Sequence, residues 1–163
     1  QRPSMLGMEN RLETIDSRIF AFALNNGRRN SEWRVHMNKY GWLDEYLLKM
    51  QGVTKDYKPE WNWFRYFVGG KMFAATCQPG PEHKAYDCRE LLTLKCEPLL
   101  AELLRNEHPD IIPGFYMDKR NWNSIYLDGD VPDDVLRDLC DRSYSLVFAK
   151  LTKKAREEIA GKG

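Results

Sequence analysis

Cations set among aromatic rings are the residues of this chain whose types and spacing point most directly to chemistry. Lys119 and Arg120 are adjacent, with Tyr116 just before them and Trp122 just after. Arg65 and Lys71 flank the Gly69-Gly70 pair, and Lys95 closes an apolar run further on. Ammonium and guanidinium groups hold phosphate oxygens and flat rings offer stacking surfaces, so the pattern fits recognition of double-stranded DNA, with hairpin turns acting as wings. The same residues also have a purely structural account. Tyr116 and Trp122 would then fill a core, and Lys119 would cap a carbonyl or pair with Asp118. For Trp122 the alternating strand pattern favours the core, because large aromatics at such positions usually face inward. Lys119 and Arg120 fit either account.

Catalysis has no comparable footing. Ser143 lacks a nucleophile elbow, and Gly69-Gly70 reads as a turn rather than a Walker-type or dinucleotide loop. The four cysteines at 77, 88, 96 and 140 contain no Cys-x-x-Cys pair and have no histidine beside them at a metal spacing. They read as reduced core thiols. Asp128-Gly129-Asp130 lacks the further oxygen ligands and closing glutamate of a calcium loop, so it reads as a plain turn. The expectation is a binding protein and not an enzyme, with no catalytic residue, no metal and no cofactor assigned. No apolar run approaches the length of a membrane span and no secretory signal is present, which makes the cytoplasm the expected compartment and excludes a membrane partner.

Charge limits the DNA reading. Across 163 residues the net charge is only +1. The stretch up to Lys39 holds seven Lys/Arg against four Asp/Glu, whereas the remainder holds eighteen against twenty. The later part is slightly acidic, so affinity for DNA has to come from a local patch.

The elements that would position these residues follow from periodicity. Residues 1–8 are set aside as a trimmed terminus or tag remnant, 9–39 are read as a helical extension and 40–163 as the main domain. Leu12, Ile15, Ile19, Phe20, Ala23 and Leu24 fall at helical spacing, so a helix over 12–24 needs burial on the domain or on a second copy, which makes self-association one expectation. Arg28, Arg29 and Arg34 surround Trp33 as either a phosphate-contacting arm or a solvated linker. Trp42, Leu43, Tyr46, Leu47 and Met50 mark the next helix, followed by a loop. Apolar runs on either side of Gly69-Gly70 predict a hairpin, and Glu90 to Lys95 a third strand. Pro98 opens a helix whose inner face is expected to carry Leu99, Leu100, Leu103 and Leu104. Pro113-Gly114 bends the chain into a strand beginning at Trp122, apolar on both faces and therefore inside a sheet. Asp133 and Asp134 start a helix striped by Val135, Leu136, Leu139, Cys140, Ser143, Tyr144 and Val147, and a short basic tail, Lys150 to Arg156, follows and joins the cations of the DNA reading.

Several of these marks stand in one order: Leu94-Lys95, Leu103-Leu104-Arg105, Pro113-Gly114, Met117, Lys119, Trp122, Leu127-Asp128-Gly129, Pro132 and Ser143-Tyr144. Through them the chain resembles the MmcQ/YjbR family over roughly residues 41–150, most closely over 91–147. The resemblance implies an α+β domain similar to the frataxin-like fold, an antiparallel sheet covered by helices, and a DNA-binding role. The competing expectation is a protein-interaction or small-ligand module that uses the sheet face, as a homodimer through the N-terminal helix in one version.

Overall fold

A computed structural model describes residues 41–162, which form α1 (Gly41–Lys49), β1 (Val53–Lys58), β2 (Trp63–Val68), β3 (Lys71–Cys77), β4 (Leu91–Lys95), α2 (Pro98–Glu107), β5 (Ile111–Pro113), β6 (Trp122–Tyr126), α3 (Asp133–Ala149) and α4 (Lys153–Ala160). The expected helix over 12–24, the Arg28, Arg29, Trp33 and Arg34 cluster and the boundary after residue 39 lie outside the described residues.

The hairpin forms where two adjacent glycines ask for it. Gly69 and Gly70 take φ values of +55° and +74°, the pair of left-handed conformations that a two-residue primed turn requires. From there the strands build one six-stranded sheet in the order β1-β2-β3-β4-β6-β5, antiparallel at every junction. The architecture is the expected α+β class.

Alternation gives the sheet two unlike faces. One carries Val68, Phe73, Ala74, Leu92, Leu94 and Ile125 into the main core, where α1 contributes Leu43 and Leu47, α2 Ala101 and Leu104, and α3 Leu136, Leu139, Cys140 and Val147. Each such fully buried large apolar side chain contributes about 1.5–3 kcal/mol. The other face carries Trp63, Ala75, Cys77, Leu91 and Tyr126, roofed by Tyr86 from the connection after β3 and by Phe115 and Met117 from the loop before β6. Much of that face is therefore a second small core rather than open sheet, which reduces the area that a face-docking module would offer.

Three expectations are corrected, and one strand stands where the periodicity is silent. Val53–Lys58, expected as loop, is an edge strand, because β2 supplies the hydrogen-bonding partner that this polar segment cannot advertise by itself. Ile111–Pro113 is a short strand on the other edge. The basic tail contains a helix, α4, capped by Thr152 Oγ1, which accepts from Ala155 N at 3.2 Å. Leu99 and Leu103 do not face inward; they are 72% and 50% exposed. Asn123 Nδ2 donates to Ala101 O at 3.2 Å, and with Ala101 and Leu104 buried that contact fixes the rotation of α2 and turns the other two leucines out.

Ser143 explains a further irregularity. The β2–β3 register shifts between Tyr66 and Phe67, leaving Phe73 without an opposite residue, a bulge. Ser143 Oγ donates to Phe73 O at 2.5 Å and accepts from Lys95 N at 2.8 Å, so α3 is stitched to the bulge and to the end of β4 at once. Tyr144 OH donates to Gln51 O at 2.7 Å, tying the same turn of α3 to the segment after α1. Among the described residues no helix is long and apolar enough to cross a membrane.

Candidate nucleic-acid interface

Lys71, at the start of β3, lies near enough to Lys95, at the end of β4, for their charges to repel. Lys150 joins them from the end of α3. Its neighbour Leu151 packs so closely on the hairpin turn that a Cβ on Gly69 would lie 2.6 Å from Leu151 Cδ1. The crowding is felt electrostatically. Burial first, and then repulsion from Lys150 and Lys71, hold the Lys95 ammonium below the ordinary lysine range, against an opposing pull from Asp118. Arg120 and Lys95 both lie near enough to Asp118 to favour its ionised carboxylate. Asp118 is held mainly by local hydrogen bonds, from Asn121 Nδ2 and from Arg120 N, the latter at 3.0 Å. Among the described residues none of Lys71, Lys95, Lys150 and Arg120 forms an ion pair.

Trp122 is only 8% exposed and faces Lys95 across the β4–β6 ladder, with the ammonium 5.8 Å from its ring centroid. It is a core residue that supports a cation, as the structural account expected. Lys119 also follows that account, capping Gly114 O at 2.7 Å, while Arg105 Nη1 donates to Lys119 O at 3.0 Å. Arg65 is occupied: its guanidinium meets Asp56 through two bonds of 2.8 and 2.6 Å and lies over the Phe67 ring. Tyr116 departs from the structural account, being 69% exposed.

The expected residues therefore divide. Lys71 lies within reach of Lys95, which stands over Trp122, and Arg120 shares the Asp118 carboxylate with Lys95. Arg65 and Lys119 are engaged elsewhere. Lys150, expected among the cations of the basic tail, joins Lys71 and Lys95 where the end of α3 docks on the hairpin turn, and it is the charge there that acts most on Lys95.

The loop before β6 owes its position to Gly114, where a Cβ would lie 2.7 Å from that of Trp122, and Gly114 N donates to Trp122 O at 2.9 Å. Ser124 Oγ accepts from Phe115 N at 2.9 Å and shares a 2.7 Å hydrogen bond with Thr93 Oγ1, a buried polar pair that holds the loop against the sheet.

The acidic turn at 128–130 is pinned by protein groups. Arg89 Nη2 lies 2.7 Å from Asp128 and 3.4 Å from Asp110, its guanidinium 3.7 Å over the Tyr126 ring, and Asp130 N donates to Asp110 at 2.9 Å. Among the described residues no group of His, Cys, Asp and Glu is arranged to hold a metal.

The sequence model of the YjbR family matches residues 48–146. The uncharacterised protein YjbR of Escherichia coli K12 is 30% identical over 115 residues, 71% of this chain and 92% of that protein. The uncharacterised protein YyaQ of Bacillus subtilis strain 168 is 28% identical over 109 residues, 63% of this chain and 92% of that one. The crystal structure of Deinococcus radiodurans protein DR2400, with a DUF419 domain, superposes with a TM-score of 0.60 at 28% identity, over 72% of this chain and 85% of that one. A Pseudomonas syringae protein shares the fold, with a TM-score of 0.55 at 23% identity over 66% of this chain and 97% of that one.

Proposed function

The chain belongs to the YjbR family, and on that footing we propose that it binds DNA through the corner formed by Lys71, Lys95, Lys150 and Arg120. One observation carries the reading: these cations crowd together without ion-pair partners among the described residues, while Arg65 and Arg89 are neutralised at short range. Crowded like charges disfavour one another, and a row of phosphates relieves that repulsion on binding. A corner of this size predicts affinity of the non-specific kind, with a Kd of about 10⁻⁴–10⁻⁶ M at physiological salt.

The reading is one of binding without catalysis. Ser143 has its hydroxyl engaged on both sides, and burial pushes the Cys77 and Cys140 thiols up to about 12, away from the thiolate a nucleophile needs. The test is fluorescence anisotropy with a labelled DNA duplex at low salt. Lys71→Ala combined with Lys150→Ala is expected to weaken binding roughly tenfold, at about one phosphate contact each, while Arg65→Ala leaves it nearly unchanged. Equal losses from both variants, or no binding by the unmodified protein, would remove the reading.

A second reading, a protein-interaction module, draws on Leu99 and Leu103, four residues apart and exposed on α2. It predicts concentration-dependent sedimentation that Leu99→Glu with Leu103→Glu abolishes; a monomer at all concentrations, with or without the substitutions, removes its homodimer form.

A further inference from the structure

We propose that the loop from Gly114 to Asn121 is a stacking site for an unpaired nucleotide, with Tyr116 as its platform and Lys95 and Arg120 as its phosphate ligands. This rests on the DNA reading above and names single-stranded nucleic acid as the form that engages the loop.

Exposure of Tyr116 is not a product of a slack loop. Gly114 N bonds to Trp122 O, Phe115 N to Ser124 Oγ and Lys119 Nζ to Gly114 O, at 2.9, 2.9 and 2.7 Å, so the loop is fastened on both sides of the tyrosine. Within it Phe115 turns into the small core and Tyr116 turns out, at a φ of +54° that side chains other than glycine adopt only at a cost. The outward ring is also braced. Phe115 and His83 meet it edge to face, with centroids 4.6 and 5.4 Å away, and the Tyr116 hydroxyl lies 3.2 Å from His83 Nε2. A large ring held rigidly in water, at a backbone cost, is a binding surface awaiting an aromatic partner.

The ring and the cations share a side of the sheet. Lys95 pairs with Trp122 and Thr93 with Ser124, two positions along, so all four side chains stand on one face. The Ser124 hydroxyl on that face holds the Tyr116-bearing loop through Phe115 N. Arg120 lies on the same loop, four residues from the ring. The cations of the corner call for a polyanion, and the braced ring calls for a π-face; a nucleic-acid strand has both. In a duplex the base faces are already stacked, so only an unpaired base can lie on Tyr116.

The experiment measures anisotropy of a labelled oligothymidylate and of a blunt-ended two-strand duplex against the full chain and its variants. Tyr116→Ala is expected to weaken oligothymidylate binding about tenfold, within the range for loss of one stacked base, and to leave the duplex unchanged; Tyr116→Phe keeps both within about twofold, because the π-face survives. Tyr116→Leu repeats the contrast with the side-chain bulk retained, and thermal melting of each variant checks that it is folded. Lys95→Ala with Arg120→Ala weakens both ligands. If Tyr116→Ala is inert, or weakens both ligands equally, the stacking site is overturned while the DNA reading stands on the cation variants. If the cation variants bind both ligands as the unmodified protein does, both readings fall.

Discussion

Ser143 sits in a helical apolar stripe, and nothing in that periodicity discloses its task. Its hydroxyl pairs the carbonyl of a bulged residue, Phe73, with the amide of Lys95. Replacing it with alanine removes the side-chain partner of both backbone groups, one of them buried, and the expected cost is about 1–3 kcal/mol in chemical denaturation. Cysteine makes a pH prediction at the same scale. Burial raises the Cys77 and Cys140 thiols from 9.0 to about 12, so both stay neutral in the folded chain at pH values where the unfolded chain ionises. Their contribution is whole below pH 9.0, and stability falls as pH rises from there toward about 12, which denaturation at stepped alkaline pH will show. Of the candidate site residues, Trp122 in the core and Lys119 on a carbonyl were legible as one of two stated accounts. The outward Tyr116 was not, because a single left-handed residue in a loop leaves no periodic trace.

Elements were legible where local chemistry dictates them. Two adjacent glycines specify the hairpin turn without help from the rest of the chain, and Pro98 and the Asp133-Asp134 pair mark the starts of α2 and α3. β1 and α4 were not, since VTKDYK has little apolar content and Lys153–Ala160 reaches the core only through Ala155 and Ile159. α2 misled for the opposite reason: four leucines in a short helix overfill one stripe, and the Asn123–Ala101 bond decides which turn inward. The hairpin glycines are not equivalent. A Cβ on Gly69 strikes Leu151, while one on Gly70 meets open space, although both carry positive φ. Gly69→Ala is therefore expected to lower the melting temperature more than Gly70→Ala, each bearing about 1–2 kcal/mol of backbone strain and only the first the clash. Because Leu151 adjoins Lys150, Gly69→Ala should also weaken DNA binding, whereas Gly70→Ala should not.

On the scale of the molecule, the α+β class and its antiparallel sheet follow from the order of the elements, and the family match spans most of the described residues. The cationic corner does not follow from composition. Net charge is a sum, and a slightly acidic domain can still bring Lys71 and Lys150 within reach of Lys95, with Arg120 beside the Asp118 that Lys95 also feels. On the proposed reading, like charges that repel in the free chain are relieved by phosphates on binding. Lys71→Gln and Lys95→Gln are expected to melt at or slightly above the temperature of the unmodified chain, each within about 0.5 kcal/mol, while losing affinity for DNA. The most direct measurement is the salt dependence of duplex binding. With four phosphates neutralised, the logarithm of affinity should fall against the logarithm of salt with a slope of about −3 to −4. In the Lys71→Ala, Lys95→Ala, Arg120→Ala variant that slope should shrink by roughly 3. A slope that the triple variant leaves unchanged, or one near zero in the unmodified chain, would contradict the claim that these cations meet DNA.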